Sequence, residues 1–235
     1  MSVNKLTHQD FLKQSRASFF EPTTDSTNTW AKQKFQGQTS FALFLADQQT
    51  QGRGRGQNTW SQSESGHTFL STWCLLLSSQ PQPLFPLRIG SLLFDCCQKT
   101  WPTLPWALKA PNDIYIGDSK WAGILVEVVP FESFVCAYIG IGANILSKPS
   151  NVDQKTAALT EHLSFSENSW LAFCYSLYEG LLQIQKDPSR TKLTGEETKS
   201  LQFALQKYTD NHVQTVLPDG SLRLTTGDLI HWSEL

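Results

Sequence analysis

Two short segments of the chain carry side chains able to act on an anion. The first, Gly52-Arg53-Gly54-Arg55-Gly56, sets two arginines among three glycines. Glycine lets backbone N–H groups approach a ligand closely, and guanidinium groups offer forked donors to carboxylate or phosphate. The same composition suits a solvated surface loop, or an arginine-rich contact to single-stranded RNA, although such RNA tracts are normally longer and repeated. The second segment runs from Pro111-Asn112-Asp113 to Lys120-Trp121-Ala122-Gly123-Ile124-Leu125-Val126-Glu127. Here an Asn-Asp pair follows a proline at a strand junction. Lys120 stands directly before a long apolar run, which anchors its ammonium at the edge of buried structure. A fixed lysine beside a carboxylate can stabilise developing negative charge. Equally, Pro-Asn-Asp and Gly117-Asp118-Ser119 are good turn formers, and Lys120 can snorkel from a strand end. Gly140-Ile141-Gly142-Ala143-Asn144 has two readings as well, a bulged strand or a backbone approached by a ligand, with Asn144 as the polar handle.

The background in which these residues sit is nearly neutral. The 235 residues are 40% hydrophobic and 17% charged, enough for a sizeable core and unlike disordered or collagen-like chains. With 19 Lys and Arg against 21 Asp and Glu, the net charge of -2 exerts no overall pull toward nucleic acid or an anionic membrane, so any anion site must be local. The nearest approach to a membrane span, Phe134 to Leu146, is 13 residues, short of the roughly 20 required. Met1 to Arg16 lacks the apolar core of a signal peptide, so a cytoplasmic protein is expected. The five cysteines (Cys74, Cys96, Cys97, Cys136, Cys174) are odd in number and form no C-x-x-C pair, which predicts reduced, buried thiols. The histidines show no metal-ligand spacing.

The elements that must position these residues follow from periodicity. Cap residues at Asp25-Ser26-Thr27 predict a helix ended by Gly37, followed by a strand from Phe41 to Ala46. Gln48 to Asn58 reads as a loop too glycine-rich for regular structure. A strand over Thr68 to Leu77 precedes a helix over Leu87 to Cys97. Three β segments then come in close order: Trp106 to Lys109 with Ile114 to Ile116, Trp121 to Val129, and Ser133 to Ile145. Their short connections favour antiparallel neighbours. Ser169 to Gln185 repeats at helical spacing, and Thr194-x-x-Glu197 is a capping box for a helix through Tyr208. The tail reads as a hairpin, Val213 to Leu217 with Leu222 to Thr225, then Leu229 to Trp232. The fold class expected is α+β, a mixed, largely antiparallel sheet flanked by helices.

Taken together, in order and spacing, these segments resemble a known family. Asp25-Ser26-Thr27-Asn28, Gln49-Thr50-x-Gly52-Arg53-Gly54-Arg55 with Trp60 nearby, Pro111-Asn112-Asp113, Lys120-x-x-Gly123-Ile124-Leu125-x-Glu127 and Ile139-Gly140-x-Gly142-x-Asn144 are similar to the motif set of the biotin protein ligases, between residues 23 and 146. The resemblance implies a class II synthetase-like catalytic domain over residues 1–190, and a reduced C-terminal domain of one helix and a β hairpin over 191–235. It implies an enzyme that uses ATP and Mg²⁺ to activate biotin as biotinyl-5'-AMP. Biotin then passes to a lysine of the biotin carboxyl carrier protein of acetyl-CoA carboxylase or a related biotin enzyme. The protein would be a monomer or homodimer with no nucleic-acid or membrane partner. Lys120 and Arg55 would be catalytic. Ser26, Thr27, Asn28, Gln49, Gly52, Arg53, Gly54, Arg55, Lys120, Gly123 and Gly140 would meet biotin, and Arg53, Arg55, Asn112, Asp113 and Asn144 the nucleotide. Asp113 would also hold the metal.

The chain departs from the family pattern in places. Gly56-Gln57-Asn58-Thr59 replaces a stretch that commonly carries another basic residue. Ala110 stands where the family usually has Trp, which leaves a pocket wall open or rebuilt by Trp106 or Trp121. The 24 residues ahead of Asp25 are too few for the winged helix of repressor-type members, so no operator binding is expected. Competing readings are a lipoate or octanoate ligase or transferase of the same superfamily, or a non-catalytic biotin- or RNA-binding module.

Overall fold

The computed structural model describes residues 1–207 and 212–234, so the expected helix end at Tyr208 lies outside the described residues. Seven strands form one sheet: β1 (Ser18–Thr24), β2 (Phe41–Gln49), β3 (Thr68–Leu77), β4 (Trp106–Lys109), β5 (Asp113–Ile116), β6 (Ser119–Pro130) and β7 (Val135–Asn144). Their order is β1-β2-β3-β7-β6-β5-β4. The neighbours from β2 to β4 are antiparallel, as their short connections require. β1 and β2 run parallel because a helix, α2 (Thr27–Lys34), crosses between them.

The other helices are α1 (Val3–Lys13), α3 (Phe85–Thr100), α4 (Glu167–Gln185) and α5 (Gly195–Gln206). Pro86 lies in the first turn of α3, where its missing N–H costs nothing. The expected capping box starts α5: Thr194 accepts from the Glu197 N–H, and Glu197 accepts from the Thr194 N–H. A second sheet of β8 (Val213–Val216), β9 (Leu222–Leu224) and β10 (Leu229–Ile230) closes the chain. Its Val213, Val216 and Leu222 join Leu201 and Leu205 of α5 in the main core.

Because strand side chains alternate, the large sheet has two unlike faces. One presents Leu43, Leu45, Trp73, Leu75, Ile139 and Ile141 to the core side chains of α1, α3 and α4, among them Phe11, Leu93, Trp170 and Phe173. The other presents Phe44, Cys74, Cys136 and Tyr138 to Ala31 of α2 and to Phe35 just after it. Beyond the first turn of α2 this second face turns to glycine, at Gly123, Gly140 and Gly142, and a cleft opens there.

The α+β architecture is as expected, and all five cysteines are free and buried. Two elements carry no sequence expectation. In α1 the buried stripe is Val3, Asn4, Thr7 and Phe11, half of it polar. Its Asn4 substitutes for a sheet partner, donating to the Thr68 carbonyl and accepting from the Leu70 N–H. In β1, an edge strand, Glu21, Pro22 and Thr23 are exposed, and no apolar alternation marks them.

Candidate functional site

Lys120 reaches the cleft through an irregularity in β6. Gly123 and Leu125 face the cleft, so strict alternation would put Trp121 there as well and send Lys120 to the core side. Instead the register of β5 on β6 slips: Ile114 pairs with Ala122 and Tyr115 with Lys120, leaving Trp121 as the extra residue of a bulge. The bulge exchanges the two side chains. Trp121 packs into the core against Trp106 and Trp101, and Lys120 turns into the cleft. The lysine backbone is held on its other side by the segment after β7. The Lys120 N–H donates to the Lys155 carbonyl at 2.9 Å, and its carbonyl accepts from the Ala157 N–H at 2.9 Å. Lys120 Nζ lies 2.8 Å from Asp113 Oδ2, and Asn112 Nδ2 donates to the other carboxylate oxygen at 2.9 Å.

The opposite wall comes from the start of α2 and the end of β2. Gln49 Oε1 accepts from both the N–H and the hydroxyl of Thr27, at 2.7 and 3.2 Å, and Ser26 lines the cleft beside them. Asn28 is buried over Gly140. Its Oδ1 accepts from the Thr72 hydroxyl at 2.6 Å, and a Cβ on Gly140 would come within 2.6 Å of that oxygen. Only glycine lets the Asn28 amide lie so close to the β7 backbone.

Beyond Gln49, the loop expected to lack regular structure adds no strand to the sheet, and an isolated bridge closes it into a small hairpin. Trp60 N–H donates to the Gly52 carbonyl at 3.0 Å and Gly54 N–H to the Asn58 carbonyl at 2.8 Å, with Arg53 and Thr59 paired between them. Gly56 turns the tip at a φ of +67°, a conformation glycine adopts without strain. The hairpin lays the Trp60 indole on Gly123 and Gly142, which face each other across β6 and β7. Cβ atoms on those residues would fall 3.0 and 2.4 Å from the ring. The indole Nε1 is buried there without a partner. Lys120 Nζ is 5.8 Å from the ring centroid.

The two arginines of the hairpin differ. Arg53 pairs with Glu127 at 2.8 Å, and the same carboxylate takes Lys32 at 2.6 Å and Asn28 Nδ2 at 2.8 Å. Burial pushes the Glu127 carboxyl up, but the Lys32 and Asn28 hydrogen bonds and the two cations outweigh it and hold it below its usual value. Arg55 is exposed at the rim and has no carboxylate within 4.0 Å among the described residues. The cleft, about 110 Å³ in volume, thus gathers an ammonium and two guanidinium groups above strand glycines. Chemically, it can seat a small polar acid and neutralise an anion beside it.

A family model described as Biotin/lipoate A/B protein ligase family matches residues 20–144, which include every one of these groups. The chain belongs to this family. Biotin--[acetyl-CoA-carboxylase] ligase of Mycobacterium tuberculosis is 29% identical over 123 residues, covering 51% of this chain and 45% of the relative. The Bifunctional ligase/repressor BirA of Escherichia coli is 31% identical over 125 residues, covering 53% and 38%. The match spans less than half the length of either relative. The fold is that of Biotin protein ligase from Aquifex aeolicus in complex with biotin and ATP, with a TM-score of 0.67 at 18% identity over 91% of this chain and 95% of that one. Biotin protein ligase from Leishmania major in complex with biotinyl-5-AMP gives 0.62 at 19% identity, over 91% and 97%.

Of the side chains expected from the biotin ligase resemblance, Ser26, Thr27, Asn28, Gln49, Arg53, Gly54, Arg55, Asn112, Asp113, Lys120, Gly123 and Gly140 line this one cleft. Gly52 stands just outside, on a neighbouring groove. Asn144 stands apart: it ends β7 opposite Thr68, is 1% exposed, and leaves Oδ1 buried without a partner. Trp106 and Trp121 do not rebuild the cleft wall, since both lie in the core on the far face of the sheet. Trp60 is the indole that reaches the cleft. Sequence reasoning also left Glu127, Lys32 and Thr72 without a role, and read Gly142 only as a bulge or a ligand-facing backbone, not as the seat of Trp60. Glu127 and Gly142 stood in the quoted motifs, and their spacing of two from Leu125 and Gly140 already put them on the cleft face.

Proposed function

We propose that this chain is an ATP-dependent biotin–protein ligase, activating biotin as biotinyl-5'-AMP and transferring it to a lysine of a cytoplasmic biotin carboxyl carrier domain. The observation that carries the reading is the convergence of Lys120, Arg53 and Arg55 on one glycine-floored cleft. In the first step the biotin carboxylate oxygen attacks the α-phosphorus of ATP, an O–P bond forms, and the α–β anhydride breaks to release pyrophosphate. Both reactants are anions, so approach is repulsive unless cations are already in place. A unit charge about 4 Å away is worth roughly 4 kcal/mol at an effective dielectric near 20. In this reading Lys120 leaves Asp113 to lie between carboxylate and phosphate, and Arg53 and Arg55 close from the rim. Ser26, Thr27, Asn28 and Gln49 surround the uncharged end of the acid, with Gly123 and Gly140 as its backbone floor. In the second step the carrier amine attacks the acyl carbon, the C–O bond to AMP breaks, and the amine loses its proton.

Mg²⁺ would enter with the phosphates of ATP and supply further positive charge. Among the described residues no group of three His, Cys, Asp or Glu could hold a metal by itself. Among the described residues Asp113, with Asn112 beside it, is the carboxylate lining the cleft that could join phosphate oxygens as a ligand, which suits an ion that is usually bound through one or two carboxylates plus substrate phosphates.

The test is exchange of labelled pyrophosphate into ATP by the purified protein, with biotin, lipoate and octanoate supplied separately. Exchange with biotin alone supports the proposal. Exchange with lipoate or octanoate alone reassigns the acid, and no exchange from a folded sample leaves a binding protein.

A further inference from the structure

Glu127 does more than neutralise charge on β6. Its three donors come from three places: Lys32 from the last turn of α2, Asn28 from the first turn, and Arg53 from the hairpin. Two of them belong to the fixed body of the protein, since Asn28 is 2% exposed and bonded to Thr72. Arg53 is the most exposed of the three, with 43% of its side chain in solvent. It borders the cleft on one side and, on the other, an open groove lined by Glu127, Leu125 and Gly52. The hairpin carrying Arg53 is also what seats Trp60 on Gly123 and Gly142. Apart from the hairpin's own rungs, its one ion pair to the sheet is Arg53 to Glu127, among the described residues. Loss of that pair frees the rim arginine to swing into the groove. It leaves Glu127 satisfied by Lys32 and Asn28, so opening strands no buried charge.

We infer that Glu127 is a positioning residue that latches the Gly52–Trp60 hairpin over the cleft through Arg53, fixing the arginine at the rim where an anionic ligand meets its remaining N–H donors. The hairpin opens when Arg53 leaves Glu127 and Trp60 lifts from Gly123 and Gly142, and neither step unfolds the sheet beneath. The consequence for ligand binding rests on the biotin-ligase reading, whereas the latch itself does not.

Trypsin cleavage at Arg55-Gly56 measures hairpin opening without any ligand, because slow cleavage follows the population of the open form. Glu127→Gln keeps the size and the Asn28 contact but removes the charge. We expect cleavage about threefold to tenfold faster, as suits a partly exposed, charge-assisted pair. Arg53→Ala should accelerate it equally, and the double variant should be no faster than Arg53→Ala. In the exchange assay Glu127→Gln should raise the KM for biotin by a similar factor and leave kcat within about twofold, the signature of lost binding rather than lost chemistry. Unchanged cleavage in Glu127→Gln, or a double variant cleaved far faster than Arg53→Ala, overturns the latch. Faster cleavage with no exchange by the unaltered protein keeps the latch and rejects the biotin reading.

Discussion

Glu127 and Glu197 each take two cations, Lys32 and Arg53 at 2.6 and 2.8 Å in one case, Arg88 and Arg190 at 3.1 and 2.9 Å in the other. Both carboxyls are held below their usual values. The difference lies in the cations. Arg88, on α3, has a side chain 2% exposed, and its NH1 donates to the Asp187 carbonyl at 2.9 Å, so its charge has no route to water. Arg53 is 43% exposed on the arm of a surface hairpin. Equal charge counts thus do different jobs. Around Glu197 the pairs lock α5 against α3 and the loop after α4, whereas around Glu127 one of the two cations stands half in water on a surface hairpin.

Glu197→Ala should give the largest stability effect in the molecule. It leaves the Arg88 guanidinium buried without its counter-ion, a loss of about 3–5 kcal/mol, and it removes the α5 capping box. Urea unfolding measures it. Adenylation by the protein that remains folded should not change. Glu127→Gln, by the same measurement, should cost no more than about 1 kcal/mol because its pairs are partly exposed. Equal costs would dissolve the distinction between the two carboxylates.

Lys120→Ala turns the comparison around, with a large cost in chemistry and a small one in stability. Removing one preorganised cation from a developing anion costs about 3–4 kcal/mol, or roughly 10²–10³ in rate. The fold should survive, since Lys120 Nζ sits at the cleft and not in the core. Pyrophosphate exchange and thermal unfolding on the same sample check both halves. Exchange near the wild-type rate would remove Lys120 from the mechanism.

Gly142→Ala tests the floor under the hairpin. The added methyl falls 2.4 Å from the Trp60 indole, so the ring must lift. Overpacking of this kind costs about 1–3 kcal/mol. Here it should appear mostly as weaker ligand binding and faster trypsin cleavage at Arg55, because the displaced group is a surface hairpin. A protein destabilised by the full amount with the hairpin still protected would mean that Trp60 belongs to the core.

How much of this was legible in the chain depends on the range of the pattern. The antiparallel strands and the capping box at Thr194 come from local periodicity and short connections, and they fall where expected. So do Lys120 and Asp113 as a charged pair at a strand junction. What local pattern could not supply was parity. From Trp121 onward alternation assigns Lys120 to the core side, and only the pairing of β5 with β6 reveals the bulge that reverses it. The Gly52–Trp60 hairpin was hidden for a related reason. It has a single bridge, Arg53 to Thr59, and holds together by a turn glycine and a Trp seated on glycines far along the chain. The polar stripe of α1 concealed a helix whose buried Asn4 makes sense only beside β3.

The smallest effect expected is in pH dependence, and it probes the comparison without moving a side chain. Burial pushes Glu197 up, but the Thr194 N–H and the charges of Arg88 and Arg190 more than offset it, and the net shift is down from 4.5. A carboxyl with a lowered folded pKa binds fewer protons folded than unfolded, so stability rises with pH through this range. Its contribution is complete above the unfolded value and is lost as pH falls through the folded one. The stability gap between the wild type and Glu197→Gln should therefore be full at pH 7 and narrow below pH 4.5. The gap for Glu127→Gln should narrow in the same direction from a smaller starting value, because Arg53 and Lys32 are screened by water. Urea midpoints at pH 7 and pH 3.5 for the three proteins resolve it. A gap that stays constant with pH would mean that the neutral glutamine amide restores the contacts of Glu197, and that shape rather than charge holds α5 in place.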